Sequence, residues 1–457
     1  MIQLARPRRV RRRPARAGSL LIAVALLLAG CGAPDGSDDT NGSDDAEPQV
    51  LRVPEDHESI SAAVDAARPG DLVLVAPGTY PEEVLVDTED VTIRGEVRDE
   101  VVVDAEGVRS AGIVAVADGV RVENLTVRNA TFYGVLVTGL HEDGADPGAH
   151  GAGDYETLDP QEHPPVQRFG ISHVTATNNG LYGIYAFDAQ HGHITDSYAS
   201  GSADSGIYVG QCRECDVLVR ANVAERNAVG YENANASDSV VITGNRFAGN
   251  RVGLTLLSNY QEAFAPQHGN LVAGNVVTGN DSNTSPAQAE GGFGVGVGIS
   301  GGQDNTFVAN LVTANPRAGV LLTHAEDIPT TGNVLERTAF AADGLPANGV
   351  DVANVSASRS PAAGNCLEGT AGGESVLPED LLTDCTGTQP AARDADLPSV
   401  EVPPGTSFLE VPGPPPQPSM ADVETIPEPL PDAVEMPDLA DVAVPAADLL
   451  ADRSGVS

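Results

Sequence analysis

The middle of the chain is built from short runs in which apolar and polar residues alternate, each run opened by a glycine. Gly134, Gly183, Gly206, Gly230, Gly253, Gly296, Gly319 and Gly349 open them. From Gly183 to Gly253 the steps are 23, 24 and 23 residues, and from Gly296 to Gly319 the step is again 23. A second marker lies between the glycines, an asparagine pair five residues apart: Asn222/Asn227, Asn245/Asn250, Asn275/Asn280 and Asn310/Asn315. A fixed period of this size signals a stacked array. Alternation of period two in β-branched, glycine-punctuated segments predicts strands, and no 3.6-residue pattern supports helical repeats. The expected architecture is a parallel β-helix of about three short strands per coil, with coils stacked at ~4.8 Å.

The alternation also assigns directions. The first and third places after each glycine predict the interior stack: Val135/Val137, Ile184/Ala186, Ile207/Val209, Leu254/Leu256, Val297/Ile299, Val320/Leu322 and Val350/Val352. Tyr231/Asn233 alone departs from it. The asparagines predict ladders at a turn, with side-chain amides bonded from coil to coil. Open coils expose strand edges and need covers. The Ala-rich amphipathic stretch 58–68 predicts a capping helix, stopped by Pro69-Gly70, after which Leu72–Val75 begins the first coil.

Ile60–Tyr80, followed by Val91–Gly95, resembles the right-handed β-helix or pectin-lyase-like superfamily. The later Gly-Asn-x-x-x-x-Asn coils are similar to those of NosD-type periplasmic β-helix proteins. Together the resemblance spans about residues 50–385. It implies an all-β fold: a single right-handed parallel β-helix with a short N-terminal capping helix and a disordered acidic, proline-rich C-terminal tail. The fold hosts many activities and by itself selects none.

Four segments are expected: 1–30, 31–49, 50–386 and 387–457. The first carries seven Arg, no acid and the apolar run Leu20–Leu28, a run too short to span a membrane. This reads as a secretory signal. Leu28-Ala29-Gly30-Cys31 resembles the lipobox of bacterial lipoproteins, which implies a lipid on Cys31 and a membrane as partner, outside the cell. The Gly/Ser/Asp/Asn-rich 31–49 segment predicts a flexible tether. The tail is proline-rich and acidic; disorder is the expectation, with a course along the helix or toward an envelope protein left open.

The chain holds 65 acidic and 25 basic residues, a net charge of −40, and no lysine. A field of that sign excludes nucleic acid as a partner. It also disfavours a bare polyanionic sugar unless Ca²⁺ bridges the two. After Cys31 four cysteines remain, an even number in an exported chain, which reads as disulfides. Cys212 with Cys215 and Cys366 with Cys385 is the simplest pairing; a redox or metal role for Cys212-x-x-Cys215 stays open.

Outward places on the glycine strands define a candidate site. The second place stacks Tyr185, Tyr208 and Glu232; the fifth stacks Asp188, Gln211 and Asn235. Aromatic faces cover sugar C–H surfaces and amides take hydroxyls, so this strip predicts carbohydrate binding. Inserts at 139–169, 258–269 and 281–293 interrupt the period, and the first two flank the strip. Mannuronan epimerases of this fold carry a Tyr-Gly-(Phe/Ile)-Asp-Pro-His-Asp motif. Tyr182-Gly183-Ile184 matches its start, while Asp188 and His191 arrive late and the proline is missing. Asp188, His191 and Tyr185 are nonetheless the candidate catalytic group, suited to exchanging a proton next to a carboxylate in lyase or epimerase chemistry. The six to eight oxygens Ca²⁺ requires cannot be assembled from the repeat. Two other readings stay open: an envelope scaffold acting through the tail, and a copper accessory protein using the histidines of 139–169.

Overall fold

The computed structural model describes residues 47–140, 161, 163–288, 291–357, 359–369, 375–378, 385 and 396–456. Its contacts divide the chain into Met1–Glu47 and Pro48–Ser457. The segment expected to be a signal, Cys31 and most of the expected tether fall outside the described residues, as do 141–160 of the first insert, with their histidines.

Pro48–Ser457 winds into three parallel sheets. The first has twelve strands, from Val50–Val53 to Cys366–Glu368. The second has nine, from Gly78–Tyr80 to Leu311–Thr313. The third has twelve, including the glycine runs Tyr133–Thr138, Tyr182–Phe187, Ser205–Arg213, Val229–Ser237 and Val252–Leu257. Among the described residues every ladder is parallel except the small pairing of His324–Ala325 with Ile328–Pro329. A helix, Ile60–Ala66, covers the N-terminal end with Ile60, Ala63 and Val64 buried. Ser59 caps it through Ala62 N (3.1 Å), and the Glu82 carboxylate takes the free N–H groups of Ile60 and Ser61.

The interior is the expected stack. Ile184, Ile207, Leu254, Val297 and Val320 sit in one continuous apolar cluster. Their repeated burial is each worth about 1.5–3 kcal/mol, and no coil could achieve it alone. The departing coil keeps the register: Tyr231 lies over Ile207 and Asn233 over Val209. Tyr231 stacks on Phe247 inside the helix, with ring centroids 5.8 Å apart. One assignment needs correction. Val352, not Val350, pairs with Val320, so Asp351, which a count from Gly349 would set outward beside Leu321, does not stand there. Asp351 is held instead by Asn348 Nδ2 (2.9 Å) and Ser375 N (2.9 Å), and Val350 packs on Ala318 outside the interior. The longer coil between Asn315 and Asn348 absorbs the two-residue shift.

The asparagines form ladders. Asn222, Asn245 and Asn275 each donate through Nδ2 to Oδ1 of the next member, Asn245, Asn275 and Asn310, at 2.9–3.0 Å. Asn227, Asn250, Asn280, Asn315 and Asn348 repeat this at the following turn. A third ladder, Asn305–Asn333–Asn365, arises at the remaining turn of the later coils. Each amide also satisfies main-chain groups that the tight turns leave unpaired. Both disulfides form, Cys212–Cys215 and Cys366–Cys385.

Residues 396–456 contain no strand, as an acidic proline-rich segment predicts. They lie along the outside of the coils, the course left open above. Arg94 donates to the carbonyls of Val423 (3.1 Å) and Thr425 (2.8 Å), Arg251 to Pro403, Arg246 to Ala447 and Arg337 to Val442. Proline-rich backbone is extended and short of N–H groups, so its carbonyls are free to accept from guanidinium forks.

Candidate functional site

The outward face of the third sheet gathers rings and acids. Parallel register sets Tyr185 beside Tyr208, Tyr208 beside Glu232, and Glu232 beside Thr255, as the repeat requires. The rings do not stand free. Tyr185 is fully buried and Tyr208 nearly so. Tyr182 packs 4.5 Å from Tyr185 and 4.7 Å from Tyr208, centroid to centroid, and Tyr133 lies 5.2 Å from Tyr185. Tyr182 is the partly exposed member of this stack and carries its outer surface.

The fifth-place residues have a different task. Asp188, Gln211 and Asn235 all have positive φ, 55°, 49° and 46°, at the corner where the chain turns from the third sheet to the first. Short polar side chains tolerate that left-handed conformation better than most residues. Gln211 Oε1 accepts from Ala263 N (2.9 Å), and Asn235 Nδ2 donates to the carbonyl of Asn259 (2.6 Å), so both hold down the 258–269 insert. Asp188 is buried at the same corner, and burial pushes its carboxyl up to about 6 against the pull of Gln211 and His163. Gly139 is needed opposite it: a Cβ there would come within 2.2 Å of the Pro164 carbonyl and 2.7 Å of Asp188 Oδ2.

His191 is not brought to the strip. It lies past the corner on the first sheet, its Nδ1 3.1 Å from Asp216 Oδ2, which also accepts from Val434 N of the tail (2.7 Å). The candidate trio of Asp188, His191 and Tyr185 is therefore split by the turn at Asp188. Among the described residues no three His, Cys, Asp or Glu side chains are grouped to hold a metal ion.

What the fold does assemble is a set of carboxyls around Tyr182 and Tyr208. Ser205 Oγ lies 2.6 Å from Glu232 Oε2 and 3.1 Å from Asp204 Oδ1. One hydroxyl proton cannot serve both acceptors, so a proton on one carboxyl completes the set. Burial holds Glu232 well above the usual carboxylate range, and the Asp204 charge adds to it; burial raises Asp204 as well. The 258–269 insert brings Glu262, whose Oε1 accepts from Tyr208 Oη (2.6 Å). Burial pushes Glu262 up to about 8. Its Oε2 and the neighbouring Thr255 Oγ1 are buried without a partner. The 281–293 insert contributes Gln288, whose amide donates to Asp204.

Asp204 and Gln288 were not read from the repeat, and Glu262 was seen only as an insert residue. The available signals were an acid two residues before Gly206 and the two inserts that break the period on this side.

Residues 162–335 match the family described as right handed beta helix region. The fold is thus that of right-handed parallel β-helix proteins. Among solved structures it is similar to the A-module of mannuronan C-5 epimerase AlgE6 from Azotobacter vinelandii, with 18% identity over 69% of this chain and 92% of that one, TM-score 0.46. It is also similar to pectate lyase Pel9A (15% identity, 70% and 71% covered, TM-score 0.39). A third likeness is to DFA-IIIase from Arthrobacter chlorophenolicus A6 (14%, 78% and 100%, TM-score 0.40). These likenesses concern the winding of the chain alone. No curated protein matches the sequence.

Proposed function

We propose that this chain is an exported lipoprotein, held at the outer side of the cell membrane by a lipid on Cys31, that binds a carbohydrate on the outward face of its third sheet. Tyr182 supplies the ring surface, backed by Tyr185 and Tyr208. Asp204, Glu232 and Glu262 supply hydrogen bonds from carboxyls on which burial favours the protonated form. One observation carries the reading: Glu262 Oε2 and Thr255 Oγ1 are buried beside this cluster with no partner. Buried polar atoms without a partner leave room for one from a ligand, and sugar hydroxyls both donate and accept. A neutral sugar fits better than a uronate, because the Asp204–Glu232–Glu262 cluster contains no cation to pair with an ionised ligand. The Glu232–Ser205–Asp204 bridge is the group able to pass a proton to such a ligand.

The test is binding of the full chain to a panel of neutral and uronate oligosaccharides, with Tyr182→Ala and Glu232→Gln beside it. Retained binding in both variants would remove the site from this face. Separately, Cys31→Ala should move the protein from the membrane fraction to the soluble one; an unchanged membrane fraction would refute the lipid anchor.

A further inference from the structure

The segment 403–456 is held in the manner of a bound peptide. Among its described residues only Val411, Gln417, Leu430 and Arg453 are buried. Its backbone is gripped by coil arginines through main-chain carbonyls, at Pro403, Val423, Thr425, Val442 and Ala447. Guanidinium-to-carbonyl recognition of this kind reads an extended backbone and is largely indifferent to its side chains.

The segment finishes in a pocket that does read side chains. The Arg453 guanidinium enters the turn between the first and second sheets and donates to the carbonyls of Ala221 (2.8 Å), Asp196 (2.8 Å) and Ser197 (3.1 Å). The buried Glu225 carboxylate then accepts from the next three residues: the Ser454 hydroxyl, Gly455 N (2.9 and 3.0 Å) and Val456 N (3.3 Å). Arg226 closes the contact by donating to the Gly455 carbonyl at 2.7 Å. A side chain at 455 would push Arg226 and Glu225 out of these contacts, since a Cβ would lie 2.9 Å from both Arg226 Nη1 and Glu225 Oε1. Val456 lies against Gly249, where a Cβ would be 2.8 Å away.

A carboxylate collecting successive N–H groups beside a ring of carbonyls around an arginine is a receptor for a defined peptide. We propose that the outer edge between the first and second sheets is a peptide-docking site. It takes an extended proline-rich chain carrying an Arg-Ser-Gly-Val motif, and it is filled here by the protein's own tail. The tail docks as a ligand in cis, and the body holds its shape without the covalent link.

The experiment is to place a protease site within 386–395 of the full-length protein, cleave it, and follow the tail fragment by gel filtration and the strands by circular dichroism. Expected is co-elution of fragment and body at micromolar concentration, with a labelled synthetic peptide of residues 396–457 exchanging into the cleaved protein. Arg453→Ala and Gly455→Val alter only the tail, and each should weaken retention by roughly tenfold or more. The proposal is overturned if the wild-type fragment leaves a body that stays folded. Equal retention of both variants would overturn it too, as would loss of the strand signal on cleavage.

Discussion

The asparagine ladders and the acid face of the third sheet are both rows of buried polar groups, and they are finished differently. In the ladders each Oδ1 accepts from the residue above and each Nδ2 reaches a carbonyl, so Asn250 serves Ala224 O, Asn280 and Asn227 at once. On the acid face Glu262 takes one hydroxyl and leaves Oε2 unmet, and Oγ1 of Thr255, the register neighbour of Glu232, is unmet as well. Burying a polar group without a partner costs about 1–3 kcal/mol. The ladder recovers that cost within the fold. The acid face does not, and this is why it is read as a place for a ligand and the ladder is read as scaffold.

The contrast can be broken or sharpened by measurement. The largest effect is expected in the ladder. Asn250→Ala strips bonds from both neighbouring coils and should lower unfolding stability by about 3 kcal/mol, judged from the handful of groups it leaves unmet. A shift in the denaturant midpoint worth less than about 0.5 kcal/mol would show that the ladders are decoration.

The next effect concerns protons. Glu262 is held at about 8 by burial, above its ordinary range, so the folded chain keeps a proton that the unfolded chain releases. Stability from this group is therefore intact below the ordinary Glu range and falls as pH rises toward 8, by roughly 1 kcal/mol per pH unit. Glu262→Gln should flatten that part of the pH profile relative to the native chain. Identical slopes would mean the carboxyl is ionised in the folded state.

The smallest effect is the most discriminating. Thr255→Val replaces an unmet hydroxyl with a methyl group, so stability should hold or rise by up to about 1 kcal/mol. Carbohydrate binding should weaken at the same time. A clear loss of stability would show that Thr255 Oγ1 has a structural partner and that the contrast drawn here fails.

Much of this was visible in the residues. The 23- and 24-residue steps placed Tyr185, Tyr208 and Glu232 in one column, and that column exists. The paired asparagines marked two of the three ladders. Repetition is a long-range signal that survives in a single sequence, because each coil must match the next. Where repetition stops, so does legibility. Asp204 sits in a turn, and Glu262 and Gln288 sit in inserts whose path no period dictates. The shift at Gly349 came from extra residues in one coil. The course of the tail was left open because it is set by main-chain carbonyls on scattered arginines, a pairing with no signature in the sequence.

The central claim is that the outward face of the third sheet, around Tyr182 and the Asp204–Glu232–Glu262 carboxyls, is where a sugar sits. Calorimetric titration of the full-length protein with the best oligosaccharide from the panel, at about pH 6 and about pH 9, tests it most directly. The account predicts binding at the lower pH that weakens at the higher one as the carboxyls ionise, and its loss in Tyr182→Ala at both. Binding that ignores pH and survives Tyr182→Ala with Glu232→Gln would contradict it.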